Sequence, residues 1–327
     1  MGDATLYDSH GRRIEYLRLS VTDRCDLRCT YCMPAGFKGY EEPANWLTFD
    51  EIERVVVAFA RLGVHKIRLT GGEPLLRRNL SELAGRLSSL PGIADLSLSS
   101  NGTQLAKHAQ ALRAAGITRL NVSLDTLDPA RFAAITGRDA LDAVLQGLMV
   151  AKEEGFGPIK INMVAMAGTT DNEIDAMAAY CIEHRFVLRL IEAMPVGETG
   201  RKTAFVELGP IRERLRARFG LVDGIVPGGG PARYLVSHDG RCQIGFITPM
   251  SQHFCDTCNR VRLSVDGTLY LCLGQDDKVD LRTLLRTGCS DDQLDQALLD
   301  GIGRKPLKHE FREHPTQVVR FMSSTGG

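Results

Sequence analysis

No stretch of this 327-residue chain reaches the roughly 18 to 20 apolar residues that a membrane-spanning helix needs. Met1-Gly2-Asp3-Ala4-Thr5 lacks the basic start and apolar run of a secretory signal. Neither sign of charge is in excess. The 40 Lys and Arg balance the 40 Asp and Glu, which argues against a nucleic-acid surface spread over the whole molecule. Low-complexity tracts are absent, and so are repeats beyond a recurring strand–helix unit. The expectation is a cytoplasmic protein with no membrane and no nucleic-acid partner. Hydrophobic residues at 43% suffice for a substantial core in one large domain or two.

Cysteine is not scarce, but it is unevenly placed. Nine are present, whereas a disulfide scaffold would be a smaller chain and denser in cysteine. Clustered cysteines without a signal segment read as metal ligands in a reducing compartment. Cys181, Cys242 and Cys289 are scattered and read as small buried hydrophobes. Cys25, Cys29 and Cys32 form a C-x₃-C-x₂-C motif that can wrap one corner of a metal cluster. No fourth cysteine follows closely. A [4Fe-4S] cube usually takes four thiolates, so three leave one iron open to a ligand that is not protein. An open metal position is a place for chemistry.

The second group is Cys255-x₂-Cys258 followed, after thirteen residues, by Cys272. This spacing also fits a structural zinc site with His253 as fourth ligand. Arg260-Val261-Arg262 comes directly afterwards and sends two cations to one face of a strand, which structural zinc does not need. A second cluster with an open iron beside a substrate pocket accounts for both features.

Hydrophobic periodicity predicts strands at Tyr16 to Val21, Lys66 to Thr70, Asp95 to Ser99, Arg119 to Leu124, Ile159 to Val164 and Val187 to Ile191. Amphipathic helices are predicted at Asp50 to Leu62 behind a Thr48 cap, and at about Asn79 to Leu90, Thr103 to Ala115, Asp139 to Glu154 and Asp171 to His184. Gly63, Gly116 and Gly155 occupy helix C-terminal positions. Alternating strands and helices imply a parallel sheet. The cysteine motif lies in the unusually long segment between the first two strands, and such loops are usually functional. After Pro195 the pattern changes. Gly197 to Lys202 reads as a polar linker, and Pro210 to Phe219 as a helix. Strands follow at Arg233 to Val236, Cys242 to Ile247, Arg260 to Val265 and Thr268 to Cys272, with a hairpin signal at Asp266-Gly267. The reading is an α/β fold. Residues 1–195 form an incomplete, TIM-like (β/α)6 barrel. Residues 196–327 form a smaller α+β region packed over its open side.

Parallel strands buried on both faces are usually continuous hydrophobic runs. Here Leu17-Arg18-Leu19, Ile67-Arg68-Leu69, Lys160-Ile161-Asn162 and Leu188-Arg189-Leu190 break that rule at alternate positions. Period two sends the aliphatic residues to the helices and Arg18, Arg68, Lys160 and Arg189 to the other face. Buried cations need partners. Internal carboxylates such as Glu73, Asp125 or Glu192 are one possibility. A polyanionic ligand such as a phosphate ester is the other, and four cations together favour it. Gly71-Gly72-Glu73-Pro74 directly follows the second strand. By itself it fits a strand-to-helix turn. Beside an open iron it fits a groove for a small zwitterion, with glycines letting the backbone approach the ligand.

C-x₃-C-x₂-C with Tyr31 before the last cysteine resembles the radical S-adenosylmethionine (SAM) superfamily. Arg18-Leu19-Ser20-Val21-Thr22-Asp23-Arg24-Cys25, Gly71-Gly72-Glu73-Pro74, Asn121-Val122-Ser123-Leu124-Asp125 and Gly245-Phe246-Ile247-Thr248-Pro249-Met250-Ser251 narrow the resemblance. So do Cys255-x₂-Cys258-Asn259-Arg260-x-Arg262 and the terminal Gly326-Gly327. Together they resemble the MoaA family, the GTP 3′,8-cyclases that open molybdenum cofactor biosynthesis. The resemblance runs from about Tyr7 to Gly327.

It implies a radical SAM core and two [4Fe-4S] clusters, on Cys25, Cys29 and Cys32 and on Cys255, Cys258 and Cys272. It implies a SAM site lined by Tyr31, Gly72, Ser123 and Met194. It also implies a GTP site of Arg18, Arg68, Ser99, Lys160, Arg189, Arg260 and Arg262. In the implied lyase reaction a 5′-deoxyadenosyl radical takes H3′ of GTP and C3′ attacks guanine C8. The product is (8S)-3′,8-cyclo-7,8-dihydroguanosine 5′-triphosphate. Ser99 replaces a family threonine and keeps the hydroxyl. The Gly326 and Gly327 tail would thread into the active site. Implied partners are a reduced flavodoxin or ferredoxin and a downstream cyclic pyranopterin monophosphate synthase, with a homodimer compatible. Two other readings stand beside this one: a radical SAM maturase acting on a peptide, and a zinc-stabilised binding module without catalysis.

Overall fold

Short aliphatic runs alternate with amphipathic ones, and the first part of the chain folds accordingly. It comprises β1 (Tyr16–Ser20), α1 (Phe49–Arg61), β2 (Lys66–Thr70), α2 (Leu80–Ser88), β3 (Asp95–Ser100), α3 (Leu105–Ala114), β4 (Arg119–Ser123), α4 (Pro129–Thr136), α5 (Leu141–Glu153), β5 (Ile159–Ala165), α6 (Asp171–His184) and β6 (Val187–Glu192). The structure is a computed structural model that describes residues 5–34, 36–226, 230–314, 316 and 318–326.

Local chemistry sets the helix ends. Thr48 with Glu51, and Thr170 with Glu173, form reciprocal capping boxes at α1 and α6, and such a cap is worth about 1 kcal/mol. Gly63, Gly116 and Gly155 follow their helices at φ of +89°, +91° and +77°, where a side chain would be strained. Helix α4 is not predicted, because its eight residues are too few to show a periodic stripe. Its marks are the Asp128 cap and Pro129 in the first turn.

The remainder contains α7 (Gly197–Lys202), α8 (Leu208–Phe219), β7 (Val222–Gly224), β8 (Arg233–Val236), β9 (Gln243–Ile247), β10 (Arg260–Leu263), β11 (Thr268–Tyr270), β12 (Lys278–Asp280), α9 (Leu281–Arg286), α10 (Asp291–Gly303) and α11 (Met322–Thr325). The expected polar linker is the helix α7. Gly197 and Gly200 are buried in it, and the Gly197 N–H donates to Val318 O. Tertiary packing overrides a composition that favours coil.

All twelve strands form one sheet in the order β12-β11-β10-β1-β2-β3-β4-β5-β6-β9-β8-β7. Strands β1 to β6 pair in parallel and in chain order. The later strands do not lie over the open side, as expected from sequence, but extend the sheet at both edges. β10 pairs in parallel with β1, and β9 in parallel with β6. Antiparallel β11–β12 and β8–β7 continue outward. The reason is hydrogen bonding. β1 and β6 would otherwise present rows of unpaired backbone groups, and β10 and β9 satisfy them. β12 and β7 do not pair with each other, so the barrel stays open.

The helix-facing positions, among them Leu17, Leu19, Ile67, Leu69, Leu98, Val122, Ile161 and Leu190, are fully buried against Val55, Phe59, Leu83, Val144 and Leu148. Ile244, Phe246, Val261, Leu263 and Leu298 belong to the same cluster, so one core joins both parts of the chain. Each such side chain contributes about 1.5–3 kcal/mol. No helix among the described residues is long and apolar enough to cross a membrane.

Candidate active site

The residues between the aliphatic positions face the inside of the sheet. Arg18 stands across from Arg68 and Arg262, Arg68 from Ser97, and Ser99 from Asn121. Asn121 stands across from Lys160, Ser123 from Asn162, and Asn162 from Arg189. Two adjoining cavities open on this face. One, of about 420 Å³, is lined by Lys66, Arg68, Arg119, Lys160, Arg189 and Tyr234. The other, of about 160 Å³, is lined by Arg18, Met194, Arg260, Arg262 and all three cysteines of the second group. Tyr16, Arg68 and Arg189 line both.

The carboxylates suggested as partners for these cations are used elsewhere. Glu73 accepts from Leu75 N, Ser100 Oγ and Asn101 N at 3.0, 2.8 and 2.6 Å. Burial pushes its carboxyl up to about 7. Asp125 accepts from Tyr31 Oη and Val164 N, each at 2.8 Å, and burial raises it to about 6. Glu192 accepts from Met250 N, Ser251 N and the Ser251 hydroxyl. Among the described residues Arg18, Arg68, Lys160, Arg189, Arg260 and Arg262 form no salt bridge, although Arg119 pairs with Asp95.

Their contacts are to neutral groups. Arg189 donates to Asn162 Oδ1 at 2.9 Å and to Asn121 Oδ1. Arg68 lies 5.3 Å from the Tyr16 ring centroid, Lys160 6.0 Å from that of Tyr234, and Arg260 5.7 Å from that of Phe254. Burial, then neighbouring positive charge, lowers Lys160 to about 8. Burial also lowers Arg18 and Arg189 to about 10. Among the described residues Tyr16 Oη, Arg18 Nε, Ser99 Oγ and Arg260 Nε are buried without a hydrogen-bond partner. Unpaired cations and orphaned polar atoms on one face suit a polyanion.

The first cysteine loop is pinned from four sides. Thr136 O and Ile135 O, at the end of the unpredicted α4, accept from Arg28 N and Thr30 N at 2.7 and 3.0 Å. Asp26 accepts from Asn101 Nδ2 and Thr103 Oγ1 at 2.8 and 2.7 Å. Arg28 Nη1 donates to Cys25 O at 2.6 Å. Gly72 N and Glu73 N donate to Thr22 O and Arg24 O at 2.9 and 2.7 Å. A Cβ at Gly71 or Gly72 would collide with those same carbonyls. The glycines therefore admit the backbone of the cysteine loop.

Burial pushes the Cys25 thiol up to about 12 and Cys32 to about 11, and Cys29 is also raised. Thiols so placed become thiolates only beside added positive charge such as bound iron. Tyr31 is tied to Asp125, two residues beyond the exposed Ser123. Met194 packs, like Met250 and Met322, against the buried cluster of Val196, Phe311 and Val318.

The second group lies among cations that sequence reading missed. Arg12, held by Asp8 at 2.6 Å, donates to Cys255 O at 2.8 Å. Lys305 donates to Leu271 O. Arg320 Nη2 donates to Cys272 O, Leu273 O and Gln275 O at 3.0, 2.7 and 2.9 Å. Burial opposes ionisation of Cys258, yet Lys305 and Arg260 bring its thiol below the usual range. Among the described residues no three Cys, His, Asp or Glu side chains converge on a single-ion site. The donor chemistry fits two iron–sulfur clusters.

The chain end reaches this interior. Thr325 is fully buried, and Arg262 Nη1 donates to Thr325 O at 3.3 Å and to Gly326 O. Gly326 adopts φ +73°, and a Cβ there would collide with the Thr70 side chain. Gly327 lies outside the described residues. Of the residues that sequence reading missed, Tyr16 had a usable signal, since it shares period-two parity with Arg18, whereas Tyr234 is placed by the β8–β9 register. Arg12, Lys305 and Arg320 are brought in by tertiary contacts and had none.

Comparison with known proteins accords with this site. Residues 19–181 match the radical SAM superfamily model, and residues 186–311 match the Molybdenum Cofactor Synthesis C model. GTP 3′,8-cyclase 1 of Pseudomonas aeruginosa is 47% identical over 326 residues, covering 98% of each chain. The GTP 3′,8-cyclase of Erythrobacter litoralis is 47% identical over the whole of both chains. That of Paracoccus denitrificans is 46% identical over 99% of this chain and 96% of its own. Among solved structures, Streptococcus suis SuiB bound to S-adenosylmethionine aligns at a TM-score of 0.66 and 16% identity. It covers 90% of this chain and 69% of SuiB, a likeness of fold.

Proposed function

The chain belongs to the GTP 3′,8-cyclases, radical SAM enzymes of molybdenum cofactor biosynthesis, and from that premise we propose how its own residues divide the work. Its substrate is GTP, and its cofactors are iron–sulfur clusters and SAM. Identity of this extent to cyclases leaves no ground for the peptide-maturase or zinc-module readings.

Cys25, Cys29 and Cys32 would hold the first [4Fe-4S] cluster, and Cys255, Cys258 and Cys272 the second. When bound, the first cluster and SAM supply the one-electron chemistry that starts the reaction. Tyr31, Gly72, Ser123 and Met194 line the SAM side, with Asp125 fixing the Tyr31 ring. Arg18, Arg68, Lys160, Arg189 and Arg260 gather the GTP phosphates, and Ser99 adds a hydroxyl. Arg262 serves the same face while gripping the tail. Gly326 fills space where a side chain would obstruct. Residues 1–195 act as the SAM-binding part, and residues 196–327 contribute the second cluster and the base end of the GTP site. A reduced flavodoxin or ferredoxin supplies electrons, and cyclic pyranopterin monophosphate synthase takes the product. The enzyme works in the cytoplasm.

The observation that carries this division is the set of six cations that form no salt bridge among the described residues: Arg18, Arg68, Arg189, Arg260 and Arg262 share a cavity with the second cysteine group, and Lys160 lines the adjoining one. The deciding experiment incubates the anaerobically reconstituted, reduced protein with SAM and GTP. 5′-Deoxyadenosine should form well above a no-GTP control. Equal amounts with and without GTP would sink the reading.

A further inference from the structure

Tyr16 has no part in the division above, yet it lines both cavities of the inner face. It lies on β1 two residues before Arg18, with Lys66 across from it on β2 and Arg260 across from it on β10. Only 4% of the residue is exposed. Its ring is covered by the Arg68 guanidinium at 5.3 Å. Its hydroxyl has no hydrogen-bond partner among the described residues. Buried hydroxyls are rarely left so, because water is lost and nothing replaces it.

The surroundings say what kind of partner is missing. Arg18, Arg68, Arg189 and Arg260 are the charges acting on this phenol. A guanidinium has donors and no acceptor. The phenolic hydrogen therefore finds no lone pair in this wall of cations, and only an incoming acceptor can satisfy it. The same arginines attract anions. Tyr16 also lines both cavities, one bounded by Lys66 and Lys160 and the other by the second cysteine group. A ligand reaching from one cavity to the other passes over it. The buried Nε atoms of Arg18 and Arg260 lack partners among the described residues as well.

We propose that the Tyr16 hydroxyl donates a hydrogen bond to a phosphate oxygen of GTP at the junction of the two cavities. This rests on the reading of the inner face as the GTP site. The tyrosine would help set how far the phosphates enter, and thereby where the ribose sits.

Tyr16→Phe tests it, because the variant keeps the ring and its stacking on Arg68 and deletes only the oxygen. Binding of GTP and of guanosine is measured by calorimetry on the cluster-loaded enzyme without SAM or reductant. Melting is followed without nucleotide, and KM and kcat with the complete system. The dissociation constant for GTP should weaken about tenfold to a hundredfold, as for loss of a hydrogen bond to a charged acceptor. That for guanosine should not change. KM for GTP should rise by a larger factor than kcat falls. The melting temperature should hold or increase, since no internal partner is lost. GTP binding unchanged from the parent would overturn the proposal. So would an equal loss for guanosine, which would move the contact to the nucleoside. A lower melting temperature would do the same by revealing an internal partner. If the parent enzyme itself binds no GTP, the reading of the face fails along with the proposal, a result distinct from failure of the tyrosine alone.

Discussion

Arg262 of β10 donates to the carbonyl of Gly326, so the strand that follows the second cysteine pair holds the end of the chain inside the barrel. The rest of the tail is fastened too. Arg320 donates to three carbonyls beginning at Cys272. The Phe321 ring packs edge-on against Phe37 at 5.2 Å. The Ser323 N–H is directed at Cys32, where it favours the thiolate against the effect of burial. One short segment thereby touches both cysteine groups, and it can sense or enforce their relative placement.

Gly326→Ala should act on this arrangement. The left-handed backbone and the Thr70 side chain both exclude a Cβ, and the backbone cost alone is about 1–2 kcal/mol. Steady-state assays should show kcat falling about tenfold or more, with iron content at the parent level. Parent-like kcat would show that the tail position does not matter.

Arg260→Ala and Arg262→Ala should differ. The Arg260 Nε is buried and has no partner among the described residues, so its loss should raise KM for GTP about tenfold or more, as for a lost charge-assisted bond. Arg262 is already engaged by the tail carbonyls, so its loss should lower kcat and loosen the tail, seen as faster amide exchange over residues 318–326. Loss of the second cluster's iron in Arg262→Ala would refute this separation of roles.

Iron analysis should distinguish the two cysteine groups. The parent should carry about eight irons per chain, and Cys25→Ala and Cys258→Ala about four each. Cys25→Ala should abolish SAM cleavage. Zinc in place of iron at the second group would contradict the assignment.

Lys160 gives a pH dependence. Burial and the nearby Arg189 charge hold it at about 8, below its ordinary 10.5. It carries its charge below about pH 8, so KM for GTP should be flat there and rise up to about tenfold per unit above. The stability sign is the opposite. Between 8 and 10.5 the unfolded chain binds the extra proton, so this residue's cost to the ligand-free fold is fully present below 8 and fades as pH rises through that window. Lys160→Arg, charged throughout, should flatten the KM profile. A parent-like bend in that variant would point to another group.

Much of this was legible from residues alone. The first six strands fall within a residue or so of their predicted ends, and the capped helices start where Thr48 and Thr170 stand. The inner face was visible in Arg18, Arg68, Lys160 and Arg189, because alternation along a strand is a property of a few consecutive residues. Helix α7 was not visible, since Gly-Glu-Thr-Gly favours coil until Val318 and neighbouring groups bury it. The packing of Gly71 and Gly72 against Thr22 and Arg24 was not visible, because those residues lie far earlier in the chain.

Sequence alone determined the strand–helix order, the two cysteine groups and the sidedness of the cations, all of which depend on short-range spacing. Tertiary structure decided which strands close the two edges, which cations stay unpaired, and that the tail lies under Arg262. Those outcomes depend on which distant groups meet. A guanidinium is free for a ligand only when no carboxylate elsewhere in the chain reaches it first, and spacing along the sequence does not contain that distance.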